Sequence, residues 1–199
     1  MRYPFDTKSF WNSLKNPGAF VGVFVNLTSG LSGVSGFVTR WFWSEGRGIE
    51  AETAKCISDL ELPDTYWTVL DLYTHLTGHV PDLGLSLFSE DIEFLRSNNF
   101  FLSGSSMGLA MFLGLIFFLE GKPWRDGMFA WGNIRPVRND RFALYGTDMI
   151  EKKIKIAQSM GLKCLIHPGE EGKLLTGQFE ISYPRYLQVI PTNIIDNRF

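Results

Sequence analysis

Residues 102–121 have the sequence LSGSSMGLAMFLGLIFFLEG, with serines and glycines at the start of a long apolar run. A helix that is apolar on all sides belongs in the interior of a domain. The run 107–119 has about 13 residues, well short of the roughly 20 that cross a bilayer. The segment therefore predicts a buried core helix over 103–120, ended by Gly121 and Pro123, and no association with a membrane.

The composition is that of a globular protein. The 199 residues are 45% hydrophobic and include 17 Phe, 6 Trp and 6 Tyr, which excludes a mostly disordered chain. The net charge of -2 gives no electrostatic reason to expect nucleic acid, and no basic stripe with interleaved aromatics occurs. We therefore expect no nucleic-acid partner.

Cysteine usage and the first residues predict the compartment. Only Cys56 and Cys164 occur, and they are far apart with no metal-type spacing. A disulfide framework and a metal site are therefore not expected, and a reducing compartment is the default. Residues 1–18 lack the continuous apolar core of a signal peptide. These features predict a cytoplasmic protein with no metal or cofactor.

The order of the predicted elements is mixed. Residues 1–18 form a capping segment that ends at the turn Asn16-Pro17-Gly18, and 19–199 form a single domain. Strands are predicted at 20–27, 33–43, 81–90, 127–131, 133–138, 162–167 and 186–190, the first two as a hairpin. Helices are predicted at 47–61, 64–77 with Asp64 as N-cap, 103–120 and 149–160, with a polar connection to Asn99 and a terminal helical turn. This order predicts an α+β fold, an α/β arrangement in two layers.

The serine turn could serve chemistry. Small residues before a buried helix place backbone N–H groups and the positive end of the helix dipole at one point, which suits an anion. If one serine were a nucleophile, these N–H groups could hold the oxyanion of a tetrahedral intermediate. The simpler alternative is N-capping by Ser103 or Ser105. TSGLSG, a second Gly-rich turn, lies between the first two predicted strands. No Gly-Lys-Ser/Thr motif follows it, so a phosphate-binding role for this turn is disfavoured.

A serine nucleophile needs a base. His75, His79 and His167 have no partner that the sequence reveals, but a lysine can serve if burial keeps its amine neutral. In the helix predicted at 149–160, spacing of 100° per residue places Lys153 near the centre of the apolar face and Lys152 toward the polar edge. A lysine on an apolar face is costly unless something requires it, although snorkelling past the helix end is an equal alternative.

Two stretches together resemble a known family. SGSSMGLAMFLGLIFFLEGKPWRDGMFAWGNIRPV, followed by a helix and GLKCLIHPGEE, resembles the proteolytic domain of Lon proteases, which has a ribosomal protein S5 domain 2-like fold. In that family the nucleophile lies in a Gly-Pro-Ser-Ala-Gly motif that opens an apolar helix, and a later helix carries the base. The resemblance covers residues 81–199.

The resemblance implies a set of site residues. Gly104-Ser105-Ser106-Met107-Gly108 lies on the serine motif, so Ser106 is the counterpart of the nucleophile, with an oxyanion and substrate site formed by Gly104, Ser105, Met107, Gly108 and Trp131. Trp131 and Asn133 stand where the family has threonine and glutamate. Counting back from Gly161 puts Glu151 at the lysine position. A two-residue shift puts Lys153 there, and Lys152 is the second choice.

These matches and departures leave three hypotheses. The first is an ATP-independent Ser-Lys endopeptidase of unfolded chains, a homo-oligomer that could act with a separate ATPase because no Walker motif occurs. The second is a possible pseudo-protease, inactive and serving as a binding or oligomeric assembly module for a protein partner. The string RWFW, 40–43, favours it, since one strand face cannot hide so many aromatics. The third, a small-molecule kinase of related layout, lacks an evident acidic metal ligand.

Overall fold

The protein is described by a computed structural model. The model describes residues 7–25, 36–124, 127–137, 141–146, 149–161, 164–166 and 180–181.

Helices and strands are interspersed along the described chain. The helices are α1 Thr7–Ser13, α2 Ala51–Ala54, α3 Glu61–Thr77, α4 Ser89–Ser97, α5 Gly108–Leu119 and α6 Ile150–Ser159. The strands are β1 Ala19–Val25, β2 Gly36–Glu45, β3 Gly48–Ile49, β4 Leu83–Leu87, β5 Met128–Ala130, β6 Asn133–Val137, β7 Arg141–Tyr145, β8 Cys164–Ile166 and β9 Glu180–Ile181. The mixture confirms the predicted α+β class.

A four-stranded sheet forms the first half of the fold. Its strand order is β1-β2-β4-β3, with β1 antiparallel to β2 and β2 antiparallel to β4. Ala19 lies opposite Phe42 and Val25 opposite Gly36, so the predicted hairpin strands pair as expected. The turn between them falls outside the described residues. Both strands have consecutive buried residues, because helices cover the sheet.

Helix α5 is the central core helix. Every residue from Gly108 to Leu115 is buried, which explains why the segment has no polar face. Gly114 allows the approach, since a Cβ there would lie 2.5 Å from the ring of Phe20 on β1. The indole N–H of Trp43 donates to the Met111 carbonyl oxygen at 3.0 Å. The helix is therefore packed directly on the first sheet.

The second half of the fold contains two small sheets. Strands β5, β8 and β9 are parallel neighbours, and β6 and β7 form an antiparallel hairpin. Strands β7 and β9 were not predicted. The strand predicted at 186–190 and the terminal helical turn fall outside the described residues.

The helix predicted at 47–61 is wrong. Between residues 47 and 60 only α2 is helical, and Glu50 caps it by accepting hydrogen bonds from the N–H groups of Glu52 and Thr53. The chain then leaves the helix to form a bridge between Ile57 and Leu102. Long-range pairing therefore overrides the local helical pattern.

Three other predicted boundaries also change. Helix α3 begins at Glu61, so Asp64 lies in its first turn and is not its N-cap. The predicted polar connection to Asn99 is helix α4, whose buried face carries Phe94 and Leu95. Helix α5 begins at Gly108, so the three serines precede the helix. At these three places the polar residues lie in turns next to a helix or on the exposed face of a helix.

The RWFW string is covered within the chain, contrary to the expectation of an exposed aromatic strand face. Trp41 and Trp43 are buried, and Phe42 is half-buried with its ring 5.3 Å from that of Phe88. These aromatics therefore supply no exposed interface of their own.

Arg40, which opens this string, forms a buried ion pair. Its side chain is 3% exposed and its Nε donates to Oδ2 of Asp91 at 2.7 Å, while its backbone N–H donates to Oδ1 at 3.2 Å. Its Nη1 also donates to Ser13 Oγ, so the pair joins α1, β2 and α4. Burial raises the pKa of the Asp91 carboxyl to about 7, although contact with Arg40 lowers it.

No helix among the described residues is long and apolar enough to span a membrane.

Replacing Arg40 with methionine should lower the free energy of unfolding by about 3–5 kcal/mol, because Asp91 is left buried without its cation. The lost contact would raise the pKa of the folded Asp91 further above about 7. The folded Arg40→Met variant would keep the Asp91 proton at pH values where the folded wild type has released it. The free energy of unfolding of the variant therefore falls more steeply than that of the wild type as pH rises through this range. Urea unfolding should show a larger loss at about pH 9 than at about pH 6.

The matched control is the double variant Arg40→Met/Asp91→Leu, which removes both charges. It should recover part of the stability and lose this pH dependence. A loss for Arg40→Met that is the same at both pH values would contradict the prediction.

Candidate active site

The serine turn is fixed by two backbone hydrogen bonds to Gly132, which lies between β5 and β6. The N–H of Gly132 donates to the Ser106 carbonyl oxygen at 2.9 Å, and the N–H of Leu109 donates to the Gly132 carbonyl oxygen at 2.9 Å. Gly108 lies between these bonds, and a Cβ there would be 3.1 Å from the Ile134 nitrogen. The absence of a side chain therefore lets the start of α5 press against β6.

The turn presents backbone N–H groups at the start of α5. Gly104, with φ +93°, donates its N–H to Asp59 Oδ2 at 3.2 Å, and Gly108 donates to the Ser105 carbonyl oxygen at 3.2 Å. Among the described residues, no acceptor takes a hydrogen bond from the backbone N–H of Ser106 or Met107. Those two N–H groups are therefore the ones that could meet an anion.

A side-chain hydrogen bond ties Ser105 to β6. The amide Nδ2 of Asn133 donates to Ser105 Oγ at 2.7 Å, and Asn133 is only 5% exposed. A short hydrogen bond to a buried amide limits the rotation of the Ser105 hydroxyl.

Lys153 lies on the buried face of α6, as the helical spacing predicts. It is 5% exposed, whereas Lys152 is exposed. Helix α6 packs closely on β2, since a Cβ on Gly36 would lie 2.2 Å from Ile156. The Lys153 ammonium lies 6.0 Å from the centroid of the Trp131 ring. Snorkelling into bulk solvent is therefore not how this lysine is accommodated.

One cavity brings the main candidates together. It has a volume of about 1020 Å³. Its lining includes Gly104, Ser105, Ser106, Asn133 and Lys153. A second cavity, of about 540 Å³, also has Ser105 and Asn133 in its lining. The predicted nucleophile and the predicted base therefore face the same space.

The remaining predicted residues lie near this cavity without lining it, within the part of the chain that the structure describes. Met107 and Gly108 are buried, and Lys152 is on the exposed side of α6. Trp131 is buried, with its ring edge-on to Phe129 at 4.8 Å. Trp131 therefore does not fill the cavity, although its ring contacts Lys153.

None of the described histidines reaches the serines. His75 packs beside Phe142 at the end of α3, and His79 is exposed after it. His167 falls outside the described residues. No group of acidic, cysteine or histidine side chains in the described ranges could hold a metal ion.

Several polar residues of the cavity were missed from the sequence. Asp59 lines it from the turn before α3, Glu61 from the first position of α3, and Arg135 from β6. The signal for Arg135 was its spacing of two from Asn133, which puts both on one face of a strand. Asp59 was hidden inside a wrongly predicted helix, so no local pattern pointed to it.

A scan against protein-family models found no match, and a search of curated proteins found no significant match.

Replacing Gly108 with alanine should destabilise the protein, although alanine is the better helix former by about 1 kcal/mol. The new methyl group would meet the Ile134 nitrogen at 3.1 Å and the Gly132 oxygen at 3.2 Å, both backbone atoms that cannot rotate away. We expect the free energy of unfolding to fall by about 1–3 kcal/mol in urea titrations. An increase of about 1 kcal/mol, as helix propensity alone predicts, would contradict this account.

Proposed function

We propose that the chain is a Lon-like serine peptidase domain that hydrolyses peptide bonds of unfolded chains. Ser106 is the nucleophile and Lys153 the general base. The observation that carries the proposal is that Lys153, almost fully buried, lines the same cavity as Ser106. Buried lysines are rare, and one that lines a cavity together with a serine near a helix N-terminus is a candidate for a chemical role.

The order of the elements supports the Lon-like assignment. The serine turn opens the buried helix α5, β5 and β6 follow it, and α6 carries the lysine. Ser106 before α5, Asn133 on β6 and Lys153 on α6 line one cavity, which supports the proposal. The ribosomal protein S5 domain 2-like fold is part of the same proposal.

The mechanism begins with proton transfer to the base. The neutral Lys153 amine accepts the Ser106 proton as Oγ attacks the carbonyl carbon of the substrate. The electron pair of the carbonyl moves to its oxygen, where the N–H groups of Ser106 and Met107 stabilise the negative charge. The lysine then returns the proton to the leaving amine, and water hydrolyses the acyl-enzyme.

One contact favours the second candidate, an inactive binding or assembly module. The Lys153 ammonium lies over the Trp131 ring, where the family that the sequence resembles has threonine. An aromatic face stabilises the charged ammonium and so opposes its action as a base. In that case the fold would serve contacts with a protein partner or with further copies of the chain, and size-exclusion chromatography would show the assembly.

Ser106→Ala and Lys153→Met should each lower hydrolysis of an unfolded casein substrate by about 10³-fold or more, since the nucleophile and base act as a unit. Lys152→Met is the matched control, because it removes a neighbouring but exposed lysine, and it should retain wild-type activity. Ser106→Ala should abolish labelling by a fluorophosphonate probe, and Lys153→Met should slow it. Mass spectrometry of the modified serine measures the labelling.

A folded wild-type protein that neither cleaves casein nor accepts the probe would reject the peptidase and favour the assembly module. Equal losses for Lys152→Met and Lys153→Met would reject the assignment of the base.

A further inference from the structure

We propose that the Ser105 hydroxyl is a third donor to the oxyanion, and that Asn133 is the positioning residue that aims it. The inference rests on the proposed peptidase function. It concerns residues that neither the nucleophile nor the base accounts for.

The direction of the Asn133 hydrogen bond leaves the Ser105 proton available. Asn133 Nδ2 donates to Ser105 Oγ at 2.7 Å, so the serine oxygen acts as the acceptor. Among the described residues, no acceptor takes a hydrogen bond from the Ser105 O–H itself. A hydroxyl that already accepts a hydrogen bond is polarised and becomes a better donor.

The position of Ser105 suits this role. It directly precedes the nucleophile Ser106 and lines both the larger and the smaller cavity. The N–H groups of Ser106 and Met107, the other two oxyanion donors, follow within two residues. A substrate carbonyl attacked by Ser106 would therefore place its oxygen within reach of all three groups.

The burial of Asn133 supports a fixed geometry. Asn133 is 5% exposed and begins β6, and the neighbouring Gly132 is hydrogen-bonded to both Ser106 and Leu109. A donor that is already oriented requires no rearrangement when charge develops, which is the property that lowers a barrier.

The role of Ser105 adds no bond-making or bond-breaking to the reaction proposed above. The bond between Ser106 Oγ and the carbonyl carbon forms, the carbonyl electron pair moves to oxygen, and the Ser106 proton goes to Lys153. The Ser105 proton is shared with the oxyanion by a hydrogen bond and stays on Ser105. When the tetrahedral intermediate collapses, the electron pair re-forms the carbonyl double bond, the carbon–nitrogen bond breaks, and the leaving amine takes the lysine proton.

Ser105→Ala should lower kcat by about 10²-fold while KM changes little, because the lost contact exists only in the transition state. Ser103→Ala is the matched control, since Ser103 is an exposed serine of the same cavity wall with no bond to Asn133 among the described residues. It should retain wild-type kcat. Ser105→Thr keeps the hydroxyl and should restore most of the rate, which a merely structural role would not require.

Asn133→Asp tests the direction of the hydrogen bond with almost no change of shape. A carboxylate can only accept, so it would draw the Ser105 proton away from the substrate and lower kcat about as much as Ser105→Ala. Protonation restores a donor, so the ratio of variant to wild-type kcat should rise as pH falls. A variant with wild-type kcat at all pH values would overturn the inference.

The outcomes separate this inference from the proposed function. Loss of hydrolysis in Ser106→Ala, together with normal kcat in Ser105→Ala, would overturn the oxyanion role alone. A folded wild-type chain that neither hydrolyses casein nor reacts with the fluorophosphonate would overturn both. Thermal unfolding followed by circular dichroism identifies any variant that fails to fold. If Ser105→Ala fails to fold, the fluorophosphonate labelling rate of Ser105→Thr is compared with that of the wild type instead.

Discussion

The described structure depends on the contact between the N-terminus of α5 and Gly132. Two backbone hydrogen bonds, one to the Ser106 oxygen and one from the Leu109 nitrogen, join the serine turn to the segment between β5 and β6. Gly108 makes the distance possible because it has no Cβ. The apolar remainder of α5 then anchors the turn in the core. Because α5 is buried in the core, it fixes the position of the serines that line the cavity.

Two buried cations show different solutions to the cost of burial. Arg40 is matched by Asp91 through its side chain and its backbone N–H, and the pair joins three elements. Lys153 instead lies over the Trp131 ring at the wall of the cavity. The Arg40 pair thus contributes to the architecture, whereas Lys153 is a buried cation in the lining of the cavity that Ser106 also lines.

Much of the fold follows from local patterns. The hairpin strands, the core helix and α6 with its buried Lys153 were predicted, because strand alternation and helical spacing report which side chains must be buried. The lining of the cavity was predicted in part. Ser106 and Lys153 were named from their sequence context, but Asp59 and Arg135 were missed. The positions of these two at the cavity depend on where α3 and β6 lie, and no spacing along the chain encodes that.

By itself, the sequence determined the α+β class, the buried helix after the serine turn and the apolar face that holds Lys153, because these depend on residues a few positions apart. The tertiary structure decided where 47–61 ends as a helix, since Ile57 pairs with the distant Leu102. It also decided that Asn133 reaches Ser105 and that Trp131 contacts Lys153. Contacts between distant segments depend on how whole elements pack, which a local pattern cannot specify.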